Sequence, residues 1–486
     1  MDDGLKNRAI RGAAWVGLSQ AGGRFISFLV TAVLARFLTP DDFGLIGMVL
    51  IFSGFASLFN EMGFRAALIQ KQDVNEGHFS SVFWFNIIVS ILLMLLMTLS
   101  APLIADFFKK TELAQLVRLL SLTFLIGSPV IVMRAQFAKE LNFRGLSIIQ
   151  LIAAAASGVL GVSLALLGYG VYALVGQLLG SAACYTILIW VYSDWRPRWL
   201  FSWSAIRELM GFSIGVIGGN SLNYWVRNAD KLLIGKFLGA ANLGLYSMAY
   251  TIMSLPMSQI TTVLAKVMFP TLSVIQAHRG RTRMIYLRSI AVIGLLAFPA
   301  MLGLIVVADD FVIAIFGEQW QEMIPTLRLL CLGGLLQSVN STVGWIYKSQ
   351  GRSDIQFWWI LFNGILTFIA VGIGINWGIN GVAIAYAVRI FLTTWLNFYI
   401  PGRLINMSFG DVAKALLPQL LIAIVMAVIL AYSTSVIPET WPHILRLGVL
   451  IAIGSFVFFI LIRQFQIPAY TDVIRLAKEG RVNRSQ

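Results

Sequence analysis

The chain has 486 residues; 58% are hydrophobic, 12% are charged, and the mean hydropathy is +0.82. Soluble domains have roughly 45–50% apolar and about 25% charged residues, so this composition excludes a water-soluble globule. The formal net charge of +14 raises the question of a nucleic-acid partner, but the basic residues lie in short loops between apolar runs, which excludes that class as well.

Apolar runs of about 20 residues recur from end to end, each long enough to cross a ~30 Å hydrocarbon layer as a helix. Barrel-type alternation is absent, so the expected fold class is an all-α polytopic membrane protein. Lys6, Arg8 and Arg11 precede span 1 (12–38). The placement mimics a signal peptide, but the apolar run continues to Leu38 without a cleavage pattern, so it reads as a retained helix. Span 1 carries Arg24 beside Gly22 and Gly23, and span 2 (43–68) carries Asn60, Glu61 and Arg65. Spans 3 to 6 follow at 81–105, 116–137, 146–168 and 170–192, and a basic segment, 193–208, leads to span 7 (209–238). Span 7 holds the densest polar set: Asn220, Asn223, Arg227, Asn228, Asp230 and Lys231. Span 8 (243–268) carries Gln259 and Lys266. Spans 9 to 12 lie at 286–307, 324–347, 355–375 and 380–400, with Arg389 in the last. Spans 13 and 14 (413–434 and 445–463) and a basic tail complete fourteen expected crossings.

Alternate loops differ in charge. One set holds Lys71, Lys139, Arg144, Arg196, Arg198, Arg279, Arg281, Arg283, Arg352, Arg403 and the tail; the other holds Asp41, Asp42, Asp309, Asp310, Glu318, Glu322 and Glu439. The positive-inside rule then places both termini in the cytoplasm. The main basic exception on the acidic side is Lys109–Lys110. Seven tryptophans near span ends, among them Trp195 and Trp320, read as interfacial anchors. Asp309, Asp310, Glu318 and Glu322 read as solvated loop acids.

The chain repeats itself. Residues 35–50 read ARFLTPDDFGLIGMVL and residues 235–250 read GKFLGAANLGLYSMAY. RLLSL at 118–122 is answered by RLLCL at 328–332. Spans 1–6 and 7–12 therefore form two copies of one unit, and because six is even the copies enter the membrane from the same side, as a parallel repeat. The expected organisation is an N-lobe (1–192), a cytoplasmic linker (193–208), a C-lobe (209–400), spans 13–14 (401–464) and a tail (465–486).

Ionisable residues inside a membrane are costly and mark function by default. Arg227 lies eleven residues before the end of span 7, near mid-bilayer at ~1.5 Å per residue. Asn220, Asn223, Arg227 and Asp230 fall on one helical stripe, and Arg227 and Asp230 are spaced to pair. Arg24, Asn60, Arg65, Asn220, Asn223, Arg227, Lys231 and Lys266 are the candidate substrate contacts; Asp230 and Glu61 are candidates for coupling Na+ or H+. The competing account is salt bridging between helices, or snorkelling for Arg65 and Lys266 near span ends. Excess cavity cations suit an anionic group such as pyrophosphate, which arginine binds bidentately. No metal-ligand or nucleotide-loop spacing occurs, and no cofactor is expected.

The run Ala229-Asp230-Lys231-Leu232-Leu233-Ile234-Gly235-Lys236-Phe237-Leu238-Gly239, with Leu243-Gly244-Leu245-Tyr246, resembles the span 7–8 junction of Wzx-type polysaccharide flippases of the multidrug/oligosaccharidyl-lipid/polysaccharide (MOP) exporter superfamily. Ala35 to Leu45 resembles that family's span 1–2 junction. Phe316-Gly317-Glu318-Gln319-Trp320, Ile324-Pro325 and Leu329-Leu330-Cys331 resemble the branch of colanic acid and teichuronic acid exporters. The resemblance implies a two-lobed MATE-like transporter in the bacterial inner membrane that moves an undecaprenyl-pyrophosphate-linked oligosaccharide, alongside membrane lipids and the polysaccharide polymerase machinery. It also implies an apolar groove at spans 13–14 for the polyprenyl tail. Three other readings stay open at this stage: a small-molecule or drug exporter of the same superfamily, a membrane-embedded glycan-processing enzyme, and a purely structural assembly subunit.

Overall fold

The computed structural model describes residues 3–465 except 62, 72 and 141, and among them every regular element is a helix. The part of the tail beyond residue 465 lies outside the described residues. Two compact units divide the chain at residues 1–244 and 245–486. The first contains α1 (Asp3–Phe37), α2 (Pro40–Glu61), α3 (Phe64–Gln70), α4 (Glu76–Phe108), α5 (Leu113–Gly127) and α6 (Val130–Lys139). It continues through α7 (Phe143–Leu166), α8 (Val171–Tyr192), α9 (Trp203–Leu238) and the start of α10 (Ala240–Val274). The second holds the rest of α10, then α11 (Arg279–Val306), α12 (Ala308–Ile315), α13 (Ile324–Asn340) and α14 (Val343–Ser349). It ends with α15 (Ser353–Gly374), α16 (Gly378–Gly402), α17 (Phe409–Val436) and α18 (His443–Gln464).

All fourteen expected spans fall on helices, but three are interrupted, span 2 (43–68) being α2 followed by α3. Span 4 is the pair α5–α6, bent by 42°, and span 10 is α13–α14. Among the described residues nine helices or continuous helical runs are long and apolar enough to cross a membrane, ten if the bent pair is one crossing. The run 353–402 counts once although it holds both α15 and α16. Arg24, the Asn220–Lys231 stripe and Lys266 are carried by α1, α9 and α10 respectively. Leu99, Val191, Phe391 and Tyr432 are each more than 70% exposed, an arrangement that water would penalise and acyl chains accommodate. The chain is a multi-pass helical membrane protein; the full count of fourteen crossings stays a proposal.

Local signals set the helix ends. Thr39 and Asp42 cap α2 reciprocally, the Thr39 hydroxyl donating to Asp42 Oδ2 at 2.7 Å and accepting from the Asp42 N–H. Asn75 and His78 form a capping box on α4, and Ser408 and Asp411 form one on α17. Residues 193–202 are clamped to α4 rather than loose: Trp195 Nε1 donates to Glu76 at 2.8 Å, Trp84 Nε1 to the Arg198 carbonyl at 2.8 Å, and the Ser202 N–H to Ser81 at 2.8 Å.

The repeated phrase has a physical reason. A Cβ on Gly44 would lie 1.7 Å from the Ala240 carbonyl oxygen, and one on Gly244 would lie 1.9 Å from the Pro40 carbonyl oxygen. Positions 40 and 240, like 44 and 244, are equivalent in the two phrases, so each copy supplies the glycine that admits the other's backbone. Both glycines lie in the first turns of their helices, so the two helix starts approach backbone to backbone.

Two expectations are corrected, and one exception finds its cause. Asp310 is not solvated: it is 5% exposed, 2.7 Å from His443 Nδ1 and 3.6 Å from Arg446 Nε, tying α12 to α18. Burial is tolerated because two basic side chains surround the carboxylate. Trp320 is fully buried, and Trp195 is 8% exposed in the α3–α4–α6 core, so these two anchor the fold and not an interface. Lys109–Lys110 breaks the charge asymmetry for a local reason, since Lys110 Nζ is 3.6 Å from Asp41.

Candidate functional site

α9 is docked to α2 on one side and open on another. The Tyr224 hydroxyl donates to the carbonyls of Ile51 (2.7 Å) and Leu50 (3.1 Å). Gly54 makes room for it, because a Cβ there would stand 2.4 Å from the Tyr224 oxygen. The Trp225 ring packs on Phe55 at 5.0 Å and on Phe52 at 6.5 Å. With this face fixed, Asn220 and Arg227 are exposed, Asn223 and Lys231 are half-buried, and Asp230 is buried at 5%. Asp230 Oδ1 accepts the Lys231 N–H at 2.8 Å. Arg227 and Asp230 thus differ in environment although their spacing permits pairing.

In the same unit Arg24 is half-buried on α1, three residues before Ser27. Asn60 is buried, and its amide oxygen accepts the Ser90 hydroxyl at 2.5 Å, so it joins α2 to α4. Glu61 ends α2, Arg65 lies in α3 and Lys266 in α10; their side chains lie outside the described residues. The arrangement combines an arginine-bearing, partly open helix face with neutral amide donors, which suits an oxyanion with attached hydroxyls.

In the second unit an apolar groove of about 320 Å³ opens between α11, α12, α17 and α18. Pro299, Gly303, Leu304, Met426, Leu450 and Phe458 line it. The missing side chain of Gly303 keeps it open, with Met426 Cε 3.7 Å from where a Cβ would be. This is the place where an apolar groove was expected at spans 13–14.

The sequence reading passed over two features. The first is Arg134 on α6, hidden because it falls near the end of the expected span 4. The second is a charged knot at the start of α9. Glu208 pairs with Lys71 and lies 3.4 Å from His78 Nε2, while Lys71 Nζ and His78 Nε2 are 3.1 Å apart. The Lys71 ammonium, then His78, hold the Glu208 carboxyl below its ordinary value of 4.5. No sequence signal could have joined them, since 137 positions separate Lys71 from Glu208. Among the described residues no group of three or more His, Cys, Asp or Glu is arranged to hold a metal ion.

A family model described as polysaccharide biosynthesis protein matches residues 33–325. The chain is 29% identical over 490 residues to the teichuronic acid biosynthesis protein TuaB of Bacillus subtilis, covering 99% of each chain. It is 28% identical over 400 residues to the lipopolysaccharide biosynthesis protein WzxC of Escherichia coli, covering 82% of this chain and 81% of that one. Its fold is similar to the lipid II flippase MurJ in an inward closed conformation, with a TM-score of 0.75 at 14% identity, covering 94% of this chain and 99% of that one.

Proposed function

This chain belongs to the polysaccharide biosynthesis protein family, and we propose that it flips a polyprenyl-pyrophosphate-linked oligosaccharide across the bacterial inner membrane by alternating access. The observation that carries the reading is the exposure of Arg227 on a membrane-length helix that Tyr224, one turn earlier, docks to α2. An arginine held at that depth needs water or an anion beside it, and a pyrophosphate arriving with its sugars supplies both charge and hydroxyls. Arg24 and Arg227 contact the phosphates or acidic sugars. Asn220, Asn223 and Lys231 contribute hydrogen bonds, and Arg65 and Lys266 draw the headgroup in. Asn60 acts by holding α2 on α4. Asp230, buried and next to Lys231, is the candidate for Na+ or H+ coupling, with Glu61 as the alternative. The groove bounded by α17 and α18 takes the polyprenyl chain. Its lining is almost wholly apolar, so a polyprenyl chain passes into it from the surrounding acyl chains without a solvation cost. Both termini face the cytoplasm, and released units pass to the polymerase machinery.

A flippase has no bond to make or break, which fits the structural use of the loop acids: Asp310 is engaged by His443 and Arg446, and Asp309 by Arg328. The test is deletion of the chain followed by mass spectrometry of lipid-linked intermediates. Accumulation of a complete polyprenyl-pyrophosphate oligosaccharide on the cytoplasmic face supports the reading, and Arg227→Ala, expressed and inserted at wild-type level, reproduces it. Normal surface polysaccharide in Arg227→Ala removes that residue from the mechanism.

A further inference from the structure

The first unit contains a cavity of about 540 Å³ enclosed by α1, α2, α5, α6, α7 and α8. Each helix contributes to it: Ser27, Ser53, Thr123, Arg134, Gln150 and Ser181 bring polar side chains to one space. The described lining carries a single formal charge, that of Arg134. Arginine does not deprotonate in proteins, so the charge is permanent.

The backbone is built to present that charge. The crossing breaks between α5 and α6, where Pro129 lacks an N–H and the chain turns by 42°. The Thr186 hydroxyl on α8 donates to the Ile126 carbonyl at 2.9 Å, next to the break. Beyond it, Val132, Met133, Ala135 and Phe137 are buried in a core with Phe64, Phe83 and Ile149. The rest of α6 is thereby fixed, and Arg134 faces the cavity with its guanidinium 5.9 Å from the Tyr185 ring centroid. Irregular backbone at membrane depth occurs where it lines a cavity, and broken helices mark binding sites in transporters.

We infer that this cavity is a binding site for one acidic sugar ring, a hexuronate. The carboxylate takes the arginine fork, and the amide and hydroxyl side chains match the ring hydroxyls. Tyr185 and the aliphatic residues Leu50, Leu120 and Leu178 cover the ring's C–H face. The volume is in the range of small-ligand pockets, ~300–1,000 Å³. The site lies within the first unit and is additional to the Arg227 face, so the inference goes beyond the flippase reading and does not depend on it.

The test is equilibrium binding of radiolabelled D-glucuronate to the purified full-length protein in nanodiscs. Saturable binding is expected, with D-glucose failing to compete and inorganic phosphate competing only at higher concentration. Arg134→Gln should weaken binding at least tenfold and Arg134→Lys less. Gln150→Ala, a smaller change, should weaken it severalfold, and it carries the test if Arg134→Gln does not fold. Absent glucuronate binding, competition by glucose equal to glucuronate, phosphate binding as tightly as glucuronate, or wild-type affinity in Arg134→Gln or Gln150→Ala would each overturn the inference. Because the readout is binding, glucuronate binding together with normal surface polysaccharide after deletion counts against the flippase reading alone, and absent binding together with export lost on deletion counts against this inference alone.

Discussion

Replacing Gly44 by alanine tests whether the duplicated phrase serves a close backbone contact. The added Cβ would stand 1.7 Å from the Ala240 carbonyl oxygen, and real Cβ contacts essentially never fall below 3.0 Å. The two helix starts must therefore part by about 1.3 Å, since the obstacle is main chain and cannot rotate away. Overfilling a packed site costs ~1–3 kcal/mol, and a backbone obstacle belongs at the upper end. Gly244→Ala meets the Pro40 carbonyl oxygen at 1.9 Å and should cost about as much. The double variant should cost less than the two singles together, because one separation relieves both clashes. Gly218→Ala, with nothing within 4 Å of the new Cβ, should melt at or above wild type, as alanine stiffens a helix by ~1 kcal/mol relative to glycine. The assay is the melting temperature of detergent-solubilised protein. Were Gly44→Ala and Gly244→Ala to melt with wild type and Gly218→Ala, the packing account of the repeat would be wrong.

Asp310→Ala should lower stability by ~1–3 kcal/mol, because Arg446 is left buried beside the vacated carboxylate position; His443→Ala, at a half-open position, should cost less, and the reverse order of melting temperatures would contradict the burial argument. Glu208→Gln tests the knot at the start of α9. The folded-state pKa of Glu208 is depressed, so its contribution is present above pH 4.5 and disappears as pH falls through the lower folded value. The melting difference between wild type and Glu208→Gln should thus be measurable at about pH 7 and shrink as pH falls below 4.5; a difference that grows on acidification would reverse the sign and refute the pairing.

How much of this was legible beforehand depends on the range of the interaction. The helices were readable because apolar run length is a local property, and the α9 stripe because Asn220 to Lys231 lie within twelve residues. The repeat was visible as text, but its cause needed the crossing of Gly44 with Ala240, two hundred positions apart. Asp310 read as a wet loop acid because its partner His443 lies 133 positions away. Arg134 was passed over because a proline break inside a span cannot be told from a span end by hydropathy alone, and only the fold turns that break inward. Trp195 and Trp320 sit where interfacial tryptophans sit, and only packing distinguishes an anchor in lipid from one in the core.

The helices that carry the candidate arginines meet a cost as they enter the bilayer, ~2.5–3.5 kcal/mol for one arginine at a helix centre. Arg24 in α1 and Arg227 in α9 place that cost in two helices. α9 emerges after α2, α3 and α4, the helices it packs on, and can be received by a surface already in place. α1 packs on α7, which is translated more than a hundred residues later, so its arginine enters before that partner is made. Where an arginine falls along the chain thus also bears on the order in which the nascent helices can be assembled in the bilayer.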